Sequence, residues 1–134
     1  MKARADLVRG WLRKAFSDAV AMDASLNAGA LDAACFHAQQ TAEKCLKAFL
    51  IHRGRDFPRT HNLSKLVENC AELDESFRSL VAVVGSLTPY AVELRYDDEF
   101  WPIRQVALEA RSSALTVKEF VLNRLPEHIV RSLA

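Results

Sequence analysis

Glycine and proline are scarce in this chain, with four of each among 134 residues. Such a sequence has few sites for left-handed turns or donor-free kinks, which excludes the disordered and fibrous classes. Long hydrophobic runs are also missing. Charges interrupt every apolar stretch within a few residues, so no segment reads as a membrane span. Arg4, Asp6, Arg9, Arg13 and Lys14 break up the N-terminus, which lacks the apolar core of a signal peptide and makes the cytoplasm the expected compartment. Cysteine is limited to Cys35, Cys45 and Cys70, scattered and without Cys-x-x-Cys spacing. They are expected to be small buried apolar residues rather than metal ligands or a redox pair. No glycine-rich phosphate loop, His/Cys metal cluster or Ser-His-Asp set is visible, so kinase, zinc-enzyme and hydrolase chemistry has no support, and neither a metal nor a cofactor is expected.

Excess charge of one sign is lacking too. A formal net charge of +1 makes no case for nucleic acid by itself, but the distribution is uneven. From Glu43 to Lys65 six basic residues face two acidic ones, and from Glu68 to Glu99 eight acidic residues face two basic ones. A protein polarised in this way steers an anionic ligand to one surface while its acidic part meets a basic partner or a second copy; the plainer account is an ordinary solvated surface.

What the chain does have is helical periodicity. Leu31, Cys35, Ala38, Ala42, Cys45 and Phe49 recur at alternating steps of four and three, which keeps them on one side of a helix. His37, Gln40, Lys44 and Lys47 recur at the same steps on a different side, where apolar packing does not account for them. Val8, Leu12, Ala15, Ala19, Met22 and Leu26 predict a first helix over 4–27, closed by Asn27 and Gly29. The second helix runs to about Arg53 and ends at Gly54, before a loop held extended by Pro58. A short third helix is predicted from Asn62. A fourth carries Phe77, Leu80, Val84, Leu87, Ala91 and Leu94, with Pro89 kinking it or restarting it under a Thr88 cap. Asp98 or Glu99 is expected near the start of a fifth helix, whose seam runs from Ile103 to Val121. Pro126 then opens a terminal turn ending at Ala134. No run alternates with the period of a strand. The pattern predicts one all-α domain over residues 1–134, an antiparallel up-and-down bundle of four or five helices. Its many small seam residues leave a thin core that a dimer would thicken.

The stretch Phe36-His37-Ala38-Gln39-Gln40-Thr41-Ala42-Glu43-Lys44-Cys45-Leu46-Lys47-Ala48, then Pro58-Arg59-Thr60-His61-Asn62-Leu63, then Tyr90 and Arg95-Tyr96-Asp97, resembles the HEPN family in order and spacing over nearly the whole chain. The resemblance implies a four- or five-helix bundle, a homodimer, and a minimal nucleotidyltransferase as partner in toxin–antitoxin modules. It implies nucleotide binding or metal-independent RNA cleavage as the activity. Cleavage without a metal needs a base for the ribose hydroxyl, an acid for the leaving oxygen and a cation on the phosphate. Catalytic members supply these from an Arg followed by a polar residue and, after four to six intervening residues, a His on the late helix. Here Arg124 and His128 are separated by three residues that include Leu125 and Pro126. Arg55 and His61 have suitable spacing but lie in the loop after the second helix.

The expectation is therefore a dimeric protein that interacts with nucleotide or RNA, linked to a nucleotidyltransferase and lacking nuclease activity of its own. The alternatives are an endoribonuclease using His61 with Arg55 or Arg59, and a purely structural docking partner. The nucleotide- or RNA-binding candidates are His37, Gln40, Lys44, Lys47, Arg95 and Tyr96. Lys44 and Lys47 with Gln40 form a phosphate-binding strip, unless Glu43 or a partner carboxylate neutralises them. Arg95 beside Tyr96 stacks on a base and holds a phosphate, or else it bonds the last carbonyls of the fourth helix and pairs with Asp97 or Asp98 while Tyr96 packs beneath the loop. His61 is an acid or base in its arginine-rich loop, or else packs there or caps the third helix with Thr60 or Asn62. His37 orients Glu43 or a ligand, or is a satisfied bundle residue.

Overall fold

A computed structural model describes residues 2–133, so the expected end of the terminal turn at Ala134 lies outside the described residues. Helix α1 (Arg4–Ala28) and helix α2 (Leu31–His52) form an antiparallel hairpin. The turn rests on Gly29, whose φ of 80° lets its own N–H and that of Ala30 reach the carbonyls of Leu26 and Ser25. A side chain at that φ would be strained, so glycine sits where the helix must stop. α2 closes in the same way at Gly54, φ 73°, with the Arg55 N–H bonded to the Leu50 carbonyl. The remaining helices are α3 (Leu63–Leu73), the single turn α4 (Val81–Val84), α5 (Arg104–Leu122) and the short α6 (Glu127–Arg131). α3 starts where the sequence placed it, with the Asn62 side chain accepting from the Lys65 N–H.

α2 is the central element, packed against α1, α3 and α5. Every residue from Cys45 to Leu50 is buried, which a helix with a solvent face would not allow. The seam positions Val8, Leu12 and Met22 of α1 and Ala107, Ala114 and Val117 of α5 close onto it. Phe77 links the far end of the core, 4.4 Å from Phe49 and 4.9 Å from Phe120 between ring centroids. All three cysteines are buried and unpaired. Burial, with Asp32 adding to it, pushes the Cys35 thiol up to about 11, and burial pushes the Cys45 and Cys70 thiols up to about 12, so they pack as apolar groups.

The fold is the all-α up-and-down bundle that the periodicity predicts, but the fourth helix is not continuous. It is a 3₁₀ segment over Glu75–Leu80, the turn α4, and a second 3₁₀ segment over Thr88–Tyr90. Gly85 weakens the run and Pro89 supplies no N–H to continue it. The Thr88 hydroxyl does not cap its own turn. It accepts the Leu63 N–H at 3.0 Å and so secures the start of α3. Asp98 and Glu99 stand well before α5, which begins at Arg104; the nearby Asp97 carboxylate closes a local turn by accepting the Glu99 N–H at 2.9 Å. Among the described residues no helix is long and apolar enough to cross a membrane.

Candidate functional site

Gln39, Glu43 and Lys47 stand four residues apart on α2, so one face carries all three, and all are buried. Gln39 donates to Glu43 Oε1 at 3.0 Å, Lys47 Nζ to Glu43 Oε2 at 3.1 Å, and His61 Nδ1 lies 2.9 Å from Oε1. Gln39 Nε2 also reaches the His61 carbonyl at 3.3 Å, and Gln40 donates to Gln39 Oε1 at 2.6 Å. The Lys47 ammonium sits 5.0 Å from the Phe57 ring centroid and 5.7 Å from that of Trp11, two rings that meet edge to face. Burial by itself would raise the Glu43 pKa, but hydrogen bonds from Gln39, His61 and Lys47, together with the Lys47 charge, more than offset this and hold it below the usual carboxylate value. The network fastens the 53–62 loop to α2.

On the neighbouring face Asp18 of α1 binds two members of the predicted polar row. Its Oδ1 lies 2.9 Å from His37 Nδ1 and its Oδ2 accepts from Lys44 Nζ. Sequence reasoning overlooked Asp18, yet the hairpin offers a signal. Eleven residues before Gly29 is Asp18 and eleven after it is Gln40, midway between His37 and Lys44.

A cleft of about 630 Å³ opens between the N-terminal half of α2, at Asp32, Phe36 and His37, and the 90–101 segment. The Arg95 guanidinium lies over Phe36, 4.2 Å from its centroid, and 5.5 Å from that of Tyr96; it forms no ion pair among the described residues. Tyr90 stacks on Phe100 at 5.6 Å deeper in the cleft. Tyr96 is 77 % exposed and Trp101 73 %, so neither ring packs beneath the loop. Asp32, Asp97 and Asp98 lie on the walls, which makes the cleft acidic around one arginine.

The structure thus brings His37, Arg95 and Tyr96 to one cleft, while Gln40 and Lys47 belong to the Glu43 network. Lys44 lines a separate groove with Trp11 and Lys14. His61, 57 % exposed at its side chain, is held by Glu43 and not by the arginines expected beside it. Arg55 is paired with Glu72 at 3.0 Å, and Arg59 is exposed without an ion pair among the described residues. Thr60 accepts the Asn62 N–H at 3.0 Å, as a turn residue before α3 does. Arg124 lies 3.4 Å from the Phe120 ring centroid and donates to Ser76 Oγ and the Phe120 carbonyl, each at 3.0 Å. His128 sits on the separate helix α6. Among the described residues no cluster of His, Cys, Asp and Glu has the makings of a metal centre.

The HEPN domain profile matches residues 8–125 of the chain. The crystal structure of TT1696 from Thermus thermophilus is 30% identical in sequence and superposes with a TM-score of 0.79, covering 88% of this chain and 98% of that one. That of ST0689, an archaeal HEPN homologue, is 24% identical with a TM-score of 0.71, covering 92% and 98%, and at that identity the likeness speaks for the fold. No curated protein matches. With the profile running from α1 to the end of α5 over the same bundle, the chain belongs to the HEPN family.

Proposed function

We propose that this HEPN protein binds a nucleotide or RNA through the cleft beside Arg95 and does not cleave it. The observation that carries this reading is an arginine with no carboxylate partner, stacked on Phe36 and flanked by the exposed rings of Tyr96 and Trp101. Exposed aromatics beside an arginine form a stacking surface for an unpaired base, worth about 1–3 kcal/mol per base. His37, fixed by Asp18, borders the same space. The acidic walls disfavour phosphates inside the cleft, so the base enters and the phosphates stay outside.

Against cleavage stands the placing of the groups it needs. Arg55 is paired with Glu72 and Arg124 is bound to Ser76 and Phe120, so neither stands free to clamp a phosphate. Of the arginines without an ion pair among the described residues, Arg95 shares its cleft with His37 among three aspartates that disfavour a phosphate, and Arg59 is an exposed side chain with no hydrogen bond to fix it beside His61. The same reading includes a homodimer and a minimal nucleotidyltransferase partner in a cytoplasmic toxin–antitoxin module; Val92, Ile103 and Leu108 are exposed and offer apolar surface for such contacts.

The test is equilibrium binding of AMP. Arg95→Ala and Tyr96→Ala should each weaken it by about 10-fold, the scale of one stacking contact. Undetectable binding by the wild type, or no effect of either substitution, refutes the cleft. Single-stranded RNA incubated with excess chelator should stay intact, whereas cleavage lost in His61→Ala would establish the endoribonuclease reading instead. Light scattering should report twice the 15.0 kDa chain mass.

A further inference from the structure

A second groove, of about 510 Å³, lies on the same edge of the α1–α2 hairpin. Lys2, Leu7, Gly10, Trp11, Lys14 and Lys44 line it. Its charge is opposite to that of the cleft. Three lysines face a single carboxylate, Asp6, which Arg9 engages at 3.2 Å, whereas the cleft sets three aspartates against Arg95. Lys2 and Lys14 are exposed and form no ion pair among the described residues. Both grooves have a wall on α2. His37 borders one and Lys44 the other; they are seven residues and so about 10 Å apart on one helix face, and both are bonded to Asp18. That bridge neutralises the carboxylate which would otherwise stand between them.

Gly10 adds an independent observation. Glycine in a helix interior lowers helix stability relative to alanine, so its presence needs a reason. Packing gives none, because a Cβ at Gly10 would meet nothing within 4 Å. What the missing side chain does is leave the floor of the lysine groove open.

We propose that the cleft and the lysine groove together hold one single-stranded polynucleotide, with a base in the cleft and backbone phosphates on Lys2, Lys14 and Lys44. This rests on the base-binding reading above and sharpens it to a ligand class. A mononucleotide cannot serve both grooves, because its phosphate is one ribose from its base and so stays at the mouth of the cleft, short of the lysines. A strand of several nucleotides carries phosphates across the intervening 10 Å or so to the lysines.

The experiment is fluorescence anisotropy with labelled octaadenylate RNA, with AMP measured as competitor. The wild type should bind the octamer at least about 10-fold more tightly than AMP, with a log–log salt slope near −2 for three phosphate contacts. Lys2→Gln/Lys14→Gln should flatten that slope by about 1.4 and leave AMP binding unchanged. Gly10→Glu, which suits a helix better than glycine does, should keep or raise the melting temperature while abolishing the octamer's advantage. Octadeoxyadenylate binding equally well supports the same backbone-driven mode. An octamer that binds no better than AMP, or variants that leave octamer binding intact, overturns the proposal while AMP binding keeps the cleft reading alive. Failure of the wild type to bind either probe removes both. Competition by octaglutamate as strong as by the octamer also overturns it, since the groove then takes acidic protein segments.

Discussion

Glu43→Gln keeps the size and shape of a buried side chain and removes its charge. Lys47, 8 % exposed at its side chain, would then remain an ammonium without a counter-charge. Glu43 also accepts from three donors: Gln39 and His61 on one oxygen and Lys47 on the other. Glutamine has a single acceptor oxygen, so whichever way the amide turns, at least one donor faces an NH₂ group. Breaking a buried pair from one side costs about 3–5 kcal/mol, against a total stability of about 5–15 kcal/mol for a domain. The melting temperature should fall by roughly 10–20 °C. Urea unfolding followed by circular dichroism should show the midpoint moving without a change in slope. Glu43→Leu/Lys47→Met, which removes both charges and keeps the volume, should recover most of the loss. A cost below about 1 kcal/mol for Glu43→Gln would mean that the pair is solvated and that burial is not what governs it. A double variant as unstable as the single one would assign the loss to packing rather than charge.

Acid should destabilise the protein in two windows. Glu43 in the fold has a pKa below its ordinary value, and so does His52, through burial and the nearby Arg53, Arg4 and His128 charges. In both cases the unfolded chain takes up a proton before the folded one, so stability is fully present above the ordinary value and is lost as pH falls through the folded one; urea midpoints should rise from about pH 4 to 5.5 to 7, and a maximum below about pH 5 would contradict this. Thr88→Val leaves the Leu63 N–H without its acceptor and should cost about 1–2 kcal/mol in urea, with Thr88→Ser restoring most of it. Gly54→Ala, at φ 73° and with a Cβ 3.2 Å from the Arg4 guanidinium, should cost about 1–2 kcal/mol, whereas Gly10→Ala should gain about 0.5–1 kcal/mol. Equal effects of the two glycine changes would refute the assignment of strain to one position and open space to the other.

The bundle was legible because its seams are long. α1, α2 and α5 each repeat buried positions over several turns, and Gly29 and Gly54 mark the ends of α1 and α2 at the only positive φ angles among the described residues. The fourth helix was not, because Phe77, Leu80, Val84, Leu87 and Ala91 are buried as the spacing requires while the backbone between them is mostly 3₁₀ and turn. Burial spacing of three and four does not distinguish a continuous helix from a chain of short turns. The polar row on α2 was legible as a row and misleading as a surface. A lysine on a helix is expected to reach solvent. What turns Lys47 inward is the Glu43 carboxylate one turn away, together with two rings, Trp11 and Phe57, from other parts of the chain, and no local pattern announces the rings.

The same magnitudes decide which half of α2 can meet a ligand. For Lys47 to hold a phosphate it must leave Glu43 and uncover a buried carboxylate, at a cost of about 3–5 kcal/mol. One phosphate contact on a single strand does not return that much, since its gain is the release of less than one counterion. Arg95 is in the opposite position. It is exposed, and leaving the face of Phe36 costs about 0.5–1 kcal/mol, which a stacked base of about 1–3 kcal/mol more than offsets. Lys44 lies between these cases, tied to a part-buried Asp18 but sharing that carboxylate with His37. Its exchange of one oxygen for another is close to neutral, because Asp18 keeps a partner when Lys44 turns to a phosphate. The C-terminal half of α2 is therefore scaffold, holding the 53–62 loop in place. On the neighbouring face His37 borders the cleft and Lys44 the lysine groove, and because both share Asp18 it is there that a side chain of α2 can change partners at little cost.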